Sequence, residues 1–180
     1  MEAPPRIAVA LWVLLVAAGL HWFAEYKATP GAQQEAPRLW PTESRLTLAH
    51  GRSSLLLFLH PQCPCSRATL AELARLHGDV AISFVFSDGV PLEGSSWDAA
   101  RKTPGAKTFV DKDGLEAKLF GARTSGQVVL YDAAGRLQFA GGITASRGHV
   151  GDNTGRQAVQ DLLAGKPARR DTHAVFGCAL

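Results

Sequence analysis

The stretch Ser54-Leu55-Leu56-Leu57-Phe58-Leu59-His60-Pro61-Gln62-Cys63-Pro64-Cys65-Ser66-Arg67-Ala68-Thr69-Leu70 decides how this chain is read. Its first part is short, continuously apolar and closed by Pro61, which marks a buried strand over Ser53–Leu59. From Ser66 to His77 the pattern turns helical, with Leu70, Leu73, Ala74 and Leu76 on one face and Gly78 as the stop. Two thiols therefore fall at a strand-to-helix junction, where the first helical N–H groups lack partners and carry partial positive charge. That setting lowers a thiol pKa and favours a reactive thiolate. Redox chemistry or soft-metal binding is the question the chain poses.

Further along, Val80–Phe86 reads as a second strand and Ser95–Lys102 as a short Ser-capped helix stopped before Pro104. A short strand is expected at Thr108–Val110, a turn at Asp111–Gly114 and a short helix at Leu115–Phe120. Gln127–Tyr131 and Leu137–Ala140 flank the turn Asp132-Ala133-Ala134-Gly135-Arg136 and read as a hairpin. Asn153–Leu163 is the last helix, and Lys166–Leu180 an irregular tail ending in Val175-Phe176-Gly177-Cys178-Ala179-Leu180. Strands alternating with helices and closed by a hairpin describe an α/β fold, a mixed sheet flanked by helices.

Upstream, Ile7–Phe23 holds no Asp, Glu, Lys or Arg. A helix of that length spans roughly 25 Å, near the lower limit for a bilayer. The aromatic side chains Trp12, Trp22, Phe23 and Tyr26 suit an uncleaved single-pass anchor; a cleaved signal segment with Ala17-Ala18-Gly19 as its cleavage site is the rival. The expected order is a flank at 1–6, an anchor or signal segment at 7–23, a Pro- and Gly-bearing tether at 24–45, a domain at 46–165 and a tail at 166–180 carrying Cys178. Localisation is expected at the inner (cytoplasmic) membrane, with the domain on the periplasmic side. A formal charge of +3, with no basic run longer than Arg169-Arg170, gives no face for nucleic acid.

All three cysteines, Cys63, Cys65 and Cys178, lie beyond the apolar segment, in a compartment that permits disulfides. An odd number leaves one pair plus a free or metal-bound thiol. A structural Cys63–Cys65 staple closes almost no chain and adds little loop-closure entropy.

The element order and the place of the dithiol resemble the thioredoxin-like fold, in particular exported, membrane-tethered TlpA-type thioredoxins. The likeness runs through Phe109-Val110-Asp111-Lys112-Asp113-Gly114, Leu119-Phe120-Gly121-Ala122 and Val128–Gly135. The runs LFLHPQCPCSRATLAELARL, GGITASRGHVGDN and VFGC are similar to those of bacterial proteins labelled RedB. Three positions depart from the thioredoxin pattern. The motif is Cys63-Pro64-Cys65, one residue short of Cys-x-x-Cys; Gln62 stands in place of the usual Trp; and the cis-proline position falls on Gly126.

The resemblance implies thiol–disulfide exchange on protein thiols and disulfides without a cofactor. Aligned on the strand end, Cys63 takes the place of the exposed nucleophile, with Cys65 or Cys178 as its resolving partner. The flanking Pro61, Gln62 and Ser66 argue for exposure. Pro64 fixes the backbone between the thiols. Thr124, Ser125 and Gly126 are expected opposite the dithiol, where their backbone groups would pair with a substrate strand.

The main alternative is copper delivery, since His60, Cys63, Cys65 and Cys178 form an N/S set suited to copper or zinc. Exported copper-delivery proteins of the Sco type, however, place their His far downstream, where His149 is the comparable residue. A thioredoxin-like module that only binds a partner is a third reading. Trp97 and Gln127 hint at a peroxidase, but no Thr-x-x-Cys motif accompanies them. Asp111, Asp113 and Asp132 have the spacing of conformational turns rather than of a metal site.

Overall fold

The computed structural model describes residues 5–89, 91–167 and 173–180. Positions 1–4 of the expected flank and 168–172 of the expected tail lie outside the described residues. The elements run α1 (Pro5–Ala28), β1 (Ser53–Leu59), α2 (Pro64–Leu73), β2 (Val80–Ser87), α3 (Ser95–Arg101), β3 (Lys107–Asp111), a single 3₁₀ turn at Lys112–Gly114, α4 (Leu115–Leu119), β4 (Gln127–Tyr131), β5 (Leu137–Gly142) and α5 (Thr154–Leu163).

The five strands form one mixed sheet in the order β3-β2-β1-β4-β5. Strand β1 pairs in parallel with β2, as β2 does with β3, while β4 runs antiparallel to both β1 and β5. Being central, β1 is covered on both faces, and Leu55 to Leu59 are all at most 1% exposed. This is why its sequence is continuously apolar rather than alternating. Leu55, Leu57 and Leu59 join Leu70 and Leu73 of α2, Ala100 of α3 and Val159 of α5 on one face. Leu56 and Phe58 face the other side, with Val129, Tyr131, Ala117 of α4 and Phe120. The mixed sheet between two helical layers is a thioredoxin-like fold.

Several details differ from the sequence reading. Helix α2 begins two residues early, at Pro64, because proline's fixed φ and missing N–H suit the first helical position. Helix α3 is capped by Gly94 rather than by Ser. Helix α5 does start at the expected cap: the Asn153 carboxamide oxygen accepts from Arg156 N–H at 2.7 Å. Asp111, expected in a turn, ends β3 instead, and its carboxylate accepts from the N–H groups of Glu116 and Ala117 in the first turn of α4 at 2.8 Å each. Asp132 likewise accepts from Ala134 and Arg136 N–H within the hairpin turn.

Helix α1 extends past the Ile7–Phe23 run at both ends, from Pro5 to Ala28, and His21 and Glu25 sit 3.4 Å apart on successive turns. At 24 residues it is about 36 Å long, enough for a hydrocarbon core of about 30 Å. Its stretch Arg6–Ala28 is apolar and unburied, and Trp12, Leu15 and Trp22 are 64%, 73% and 70% exposed. The chain after α1 does not hang free of the sheet. Gly31 N–H donates to Val175, Trp40 N–H to Gly135 and Leu137 N–H to Arg38, while Tyr131 Oη donates to Pro37 at 2.8 Å. Trp40 packs edge-on against Phe120 and Tyr131, with ring centroids 5.1 and 5.2 Å away.

Candidate active site

Strand β1 ends at Leu59, and the turn His60-Pro61-Gln62 lets Cys63 N–H donate back to the His60 carbonyl at 3.2 Å. Cys63 is the N-cap of α2, with extended backbone (φ −79°, ψ 125°), and its carbonyl accepts from Ser66 N–H at 3.0 Å. Exposed Pro64 occupies the first helical position, and Cys65 falls within the first turn. The thiols thus sit at the electropositive end of α2, as their sequence position requires.

A buried pair of hydroxyls fixes the facing loop. Ser66 Oγ and Ser125 Oγ are 2.7 Å apart; Ser66 Oγ donates to the His60 carbonyl, and Ser125 Oγ accepts from His60 N–H at 2.9 Å. Gly126 N–H donates to the Phe58 carbonyl at 2.8 Å. Gly126 adopts φ +93°, and a Cβ there would lie 2.8 Å from Thr69 Oγ1. Glycine is required both for the left-handed backbone and for the close approach. Thr124, Ser125 and Gly126 therefore stand beside the start of α2, as expected. Thr124 Oγ1 is turned away and donates to Ala32 at 2.7 Å.

What lies against this loop is the chain's own terminus. Thr124 and Ala179 form an antiparallel bridge, with Ser125 N–H donating to the Cys178 carbonyl at 2.8 Å and Leu180 N–H to the Arg123 carbonyl at 3.1 Å. Cys178 Sγ is thereby set 3.0 Å from Cys63 Sγ. That separation is closer than a loose contact and well beyond the roughly 2.05 Å of a disulfide, and all three cysteines are free thiols. Upstream, Gly142 N–H donates to His173, and Val175 is 1% exposed. Arg147 Nη1 donates to the Gly177 carbonyl; the same side chain donates from Nε to the Tyr26 carbonyl at 3.2 Å and lies over the Tyr26 ring at 4.9 Å.

The expectation of an exposed nucleophile is overturned. Cys63 is 2% and Cys65 6% exposed, whereas Cys178 on the tail is exposed. Pro61 and Ser66, on which that expectation rested, are themselves buried, and Cys178 Sγ of the tail lies against Cys63 Sγ.

Electrostatically the three thiols are unequal. The hydrogen bond from Cys65 is the main force pulling Cys63 down, to about 4, against the opposing effect of burial; hydrogen bonds from Cys178 and from Ser66 N–H add to it. Cys65 moves strongly upward, first through its hydrogen bond to Cys63, then through burial and the Cys63 charge. Burial is the main cause pushing Cys178 up to about 11, followed by its hydrogen bond to Cys63, while Arg147 opposes the shift. One thiolate held between two protonated thiols is the result.

The remaining candidates are placed as follows. His60 is partly buried, and its Nδ1 accepts from Gln62 N–H at 3.3 Å. His149 is exposed in the loop before α5. Among the described residues, no group of three His, Cys, Asp or Glu side chains is arranged to hold a metal ion. Trp97 belongs to the core, edge-on to Phe86 at 5.1 Å, and Gln127 Nε2 is committed to the Gly121 carbonyl at 3.1 Å.

In the sequence Ser66 reads only as a sign of exposure, and Arg147 and Gly177 carry no role of their own. Ser66 directly follows the second thiol, the one sequence signal that pointed to it. Arg147 and Gly177 gain their roles only through folding, since 30 residues separate these two partners.

No protein-family model matches the chain. None of the curated proteins is similar to it in sequence at a significant level. Solved structures do share the fold. A hypothetical protein of Sinorhizobium meliloti 1021 matches at 22% identity and TM-score 0.58, over 84% of this chain and 93% of its own. An uncharacterized conserved protein of Geobacillus kaustophilus matches at 18% identity and TM-score 0.59, over 84% and 91%. A weaker likeness, at 15% identity and TM-score 0.42 over 64% of this chain and 83% of the other, is to a secreted disulfide oxidoreductase of Mycobacterium tuberculosis.

Proposed function

We propose that this protein exchanges thiols and disulfides with protein partners, in the manner of an exported TlpA-type thioredoxin tethered by α1. The observation that carries the reading is the sulfur cluster: Cys63 at the N-cap of α2, with Cys178 Sγ 3.0 Å away and Cys65 in the first helical turn, an arrangement that pulls the Cys63 pKa down. A structural thiol pair needs neither a depressed pKa nor a second donor. A nucleophile that must be ionised at neutral pH is helped by both.

In this reading Cys63 thiolate attacks one sulfur of a partner disulfide. The partner's other sulfur leaves as thiolate and takes up a proton. Cys65 then loses its proton and attacks Cys63 Sγ, forming a Cys63–Cys65 disulfide and releasing the partner as a dithiol. Two electrons pass from the Cys63/Cys65 dithiol to the partner, and the reverse sequence oxidises a partner dithiol. The hydrogen bond that holds the proton on Cys65 disappears when Cys63 enters the mixed disulfide. Cys65 therefore becomes easier to ionise at the step that consumes its thiolate.

The test is disulfide exchange with a model protein disulfide by the full chain in detergent. Cys63→Ser is expected to lower the rate at least about 100-fold, and Cys65→Ser to accumulate a covalent partner adduct at Cys63, seen by mass spectrometry. Full activity of Cys63→Ser would remove the proposal.

A further inference from the structure

Cys178 is held by more than its sulfur. The Arg123–Ser125 backbone bonds Cys178 and Leu180 in an antiparallel bridge, Arg147 holds the Gly177 carbonyl, and Gly142 holds His173. The fit at Gly177 is closer than any other side chain allows, since a Cβ there would lie 1.9 Å from the Ser125 carbonyl oxygen. A segment that merely drifted over the dithiol would need neither an obligatory glycine nor a cation on its backbone. The tail presents a cysteine in extended conformation, sulfur against sulfur, to the thiolate that the proposed chemistry makes the nucleophile.

We infer that residues 176–180 are a built-in substitute for the partner's polypeptide, occupying the face where an extended cysteine-bearing segment of a partner docks, and that Cys63 and Cys178 form a second, latching disulfide. This inference rests on the exchange reading above. The incoming partner displaces the tail, and Cys65 resolves the mixed disulfide to Cys63–Cys65. The tail then returns. Cys178, losing its proton, attacks Cys63 Sγ; the Cys63–Cys65 bond breaks, and Cys65 leaves as thiolate and is reprotonated. No net oxidation accompanies this last step. It trades a small ring closed across one intervening residue for a bond spanning 115 positions in sequence and lying in an arrangement already built, which gives it a favourable direction. The oxidised protein then rests with its site closed, and a reductant must open Cys63–Cys178 before another partner can enter.

Two measurements on the full chain in detergent test this. The first oxidises the protein with a short peptide carrying a mixed disulfide and maps the product by mass spectrometry after alkylation. Cys63–Cys178 is expected in the unmodified protein and Cys63–Cys65 in Cys178→Ser; finding Cys63–Cys65 alone in the unmodified protein overturns the latch.

The second measures the rate of Cys63 with the peptide disulfide, divided by its rate with iodoacetamide, in Cys178→Ser. The same ratio is taken in Cys178→Ser with Gly177→Ala added, and in a chain stopped after Val175. All three lack the third thiol, and the iodoacetamide rate in the denominator corrects each for the intrinsic reactivity of its Cys63. Loss of the tail's backbone hydrogen bonds, each contributing about 1 kcal/mol net, is expected to raise the ratio at least about tenfold. A ratio that is high and equal in all three overturns the gate while leaving the exchange reading intact. Failure of the peptide disulfide to react with any of them, while iodoacetamide still does, removes the exchange reading and the gate together.

Discussion

The chemistry of this protein is concentrated in the inequality of three sulfur atoms. Cys63 is a stronger acid than an ordinary thiol, with its contact to Cys65 as the main cause, while Cys65 keeps its proton chiefly through that contact and Cys178 chiefly through burial. Its alkylation rate is therefore expected to be flat across neutral pH and to fall only as pH approaches about 4. Cys65→Ala removes the main donor and should raise that midpoint by about one unit or more. A wild-type midpoint near the ordinary thiol value would contradict the sulfur arrangement itself. The linkage to stability follows from the sign of the shift. A depressed folded-state pKa contributes stability that is complete above the ordinary thiol value of 9.0 and is lost as pH falls toward about 4. In this interval, unfolding of Cys63→Ser is expected to depend less on pH than that of the wild type, as chemical denaturation at a series of pH values would show.

Among the packed elements, α2 and α5 are joined by a charge taken out of water. Glu72, with its side chain fully buried, lies 2.7 Å from Arg156 Nε and accepts from Gly151 N–H at 2.6 Å; Arg75, partly exposed, stands 3.3 Å away. This arrangement fixes the loop that carries Arg147 to the helix that carries the thiols. Glu72→Ala leaves the largely buried Arg156 guanidinium with the exposed Asp152 as its ion partner and is expected to cost up to about 3 kcal/mol, read as a lowered thermal midpoint. A change under about 1 kcal/mol would show that Arg156 finds water instead.

The elements themselves were legible where local pattern suffices. Apolar runs gave β1, β2 and β4, the Asp132–Arg136 turn gave the hairpin, and Asn153 gave the start of α5. What escaped was non-local. Nothing in the periodicity of Phe176-Gly177-Cys178 reports that Ser125 lies beneath it, and nothing around Pro61 and Gln62 warns that Cys63 will be covered. The residues after α1 likewise looked like an unstructured tether, because their contacts are backbone hydrogen bonds and scattered apolar anchors such as Ala36 and Trp40, which leave no period. Glu72 lies outside the apolar face read for its helix, and its partner Arg156 lies on another element.

The complete chain combines an unburied apolar helix, a compact sheet and a reactive centre on the side of the sheet that the helix approaches. Arg147 is the joint. Its N–H donates to Lys27 and its guanidinium to Tyr26 in the last turn of α1, while the same guanidinium holds the residue before Cys178. The full chain is expected to stay with membranes through alkaline extraction, and a chain lacking residues 1–28 to be released; release of both would argue for a cleaved segment. Arg147→Ala, which loosens the tail without touching a sulfur, should raise the reactivity of Cys63 toward a peptide disulfide severalfold, measured by the same stopped reaction. An unchanged rate would mean that the backbone bridge alone holds the tail.

The joint at Arg147 also governs how partners are met. One side chain bridges the end of the apolar helix and the residue before Cys178, so, under the proposal that α1 anchors the protein, the sulfur cluster lies near the lipid headgroups. Encounters with other anchored proteins then become a search over an area rather than through a volume, and the effective concentration of such partners rises without any gain in intrinsic affinity. Soluble proteins receive no such advantage, so selection among targets begins with where a cysteine is held before its sequence is ever tested.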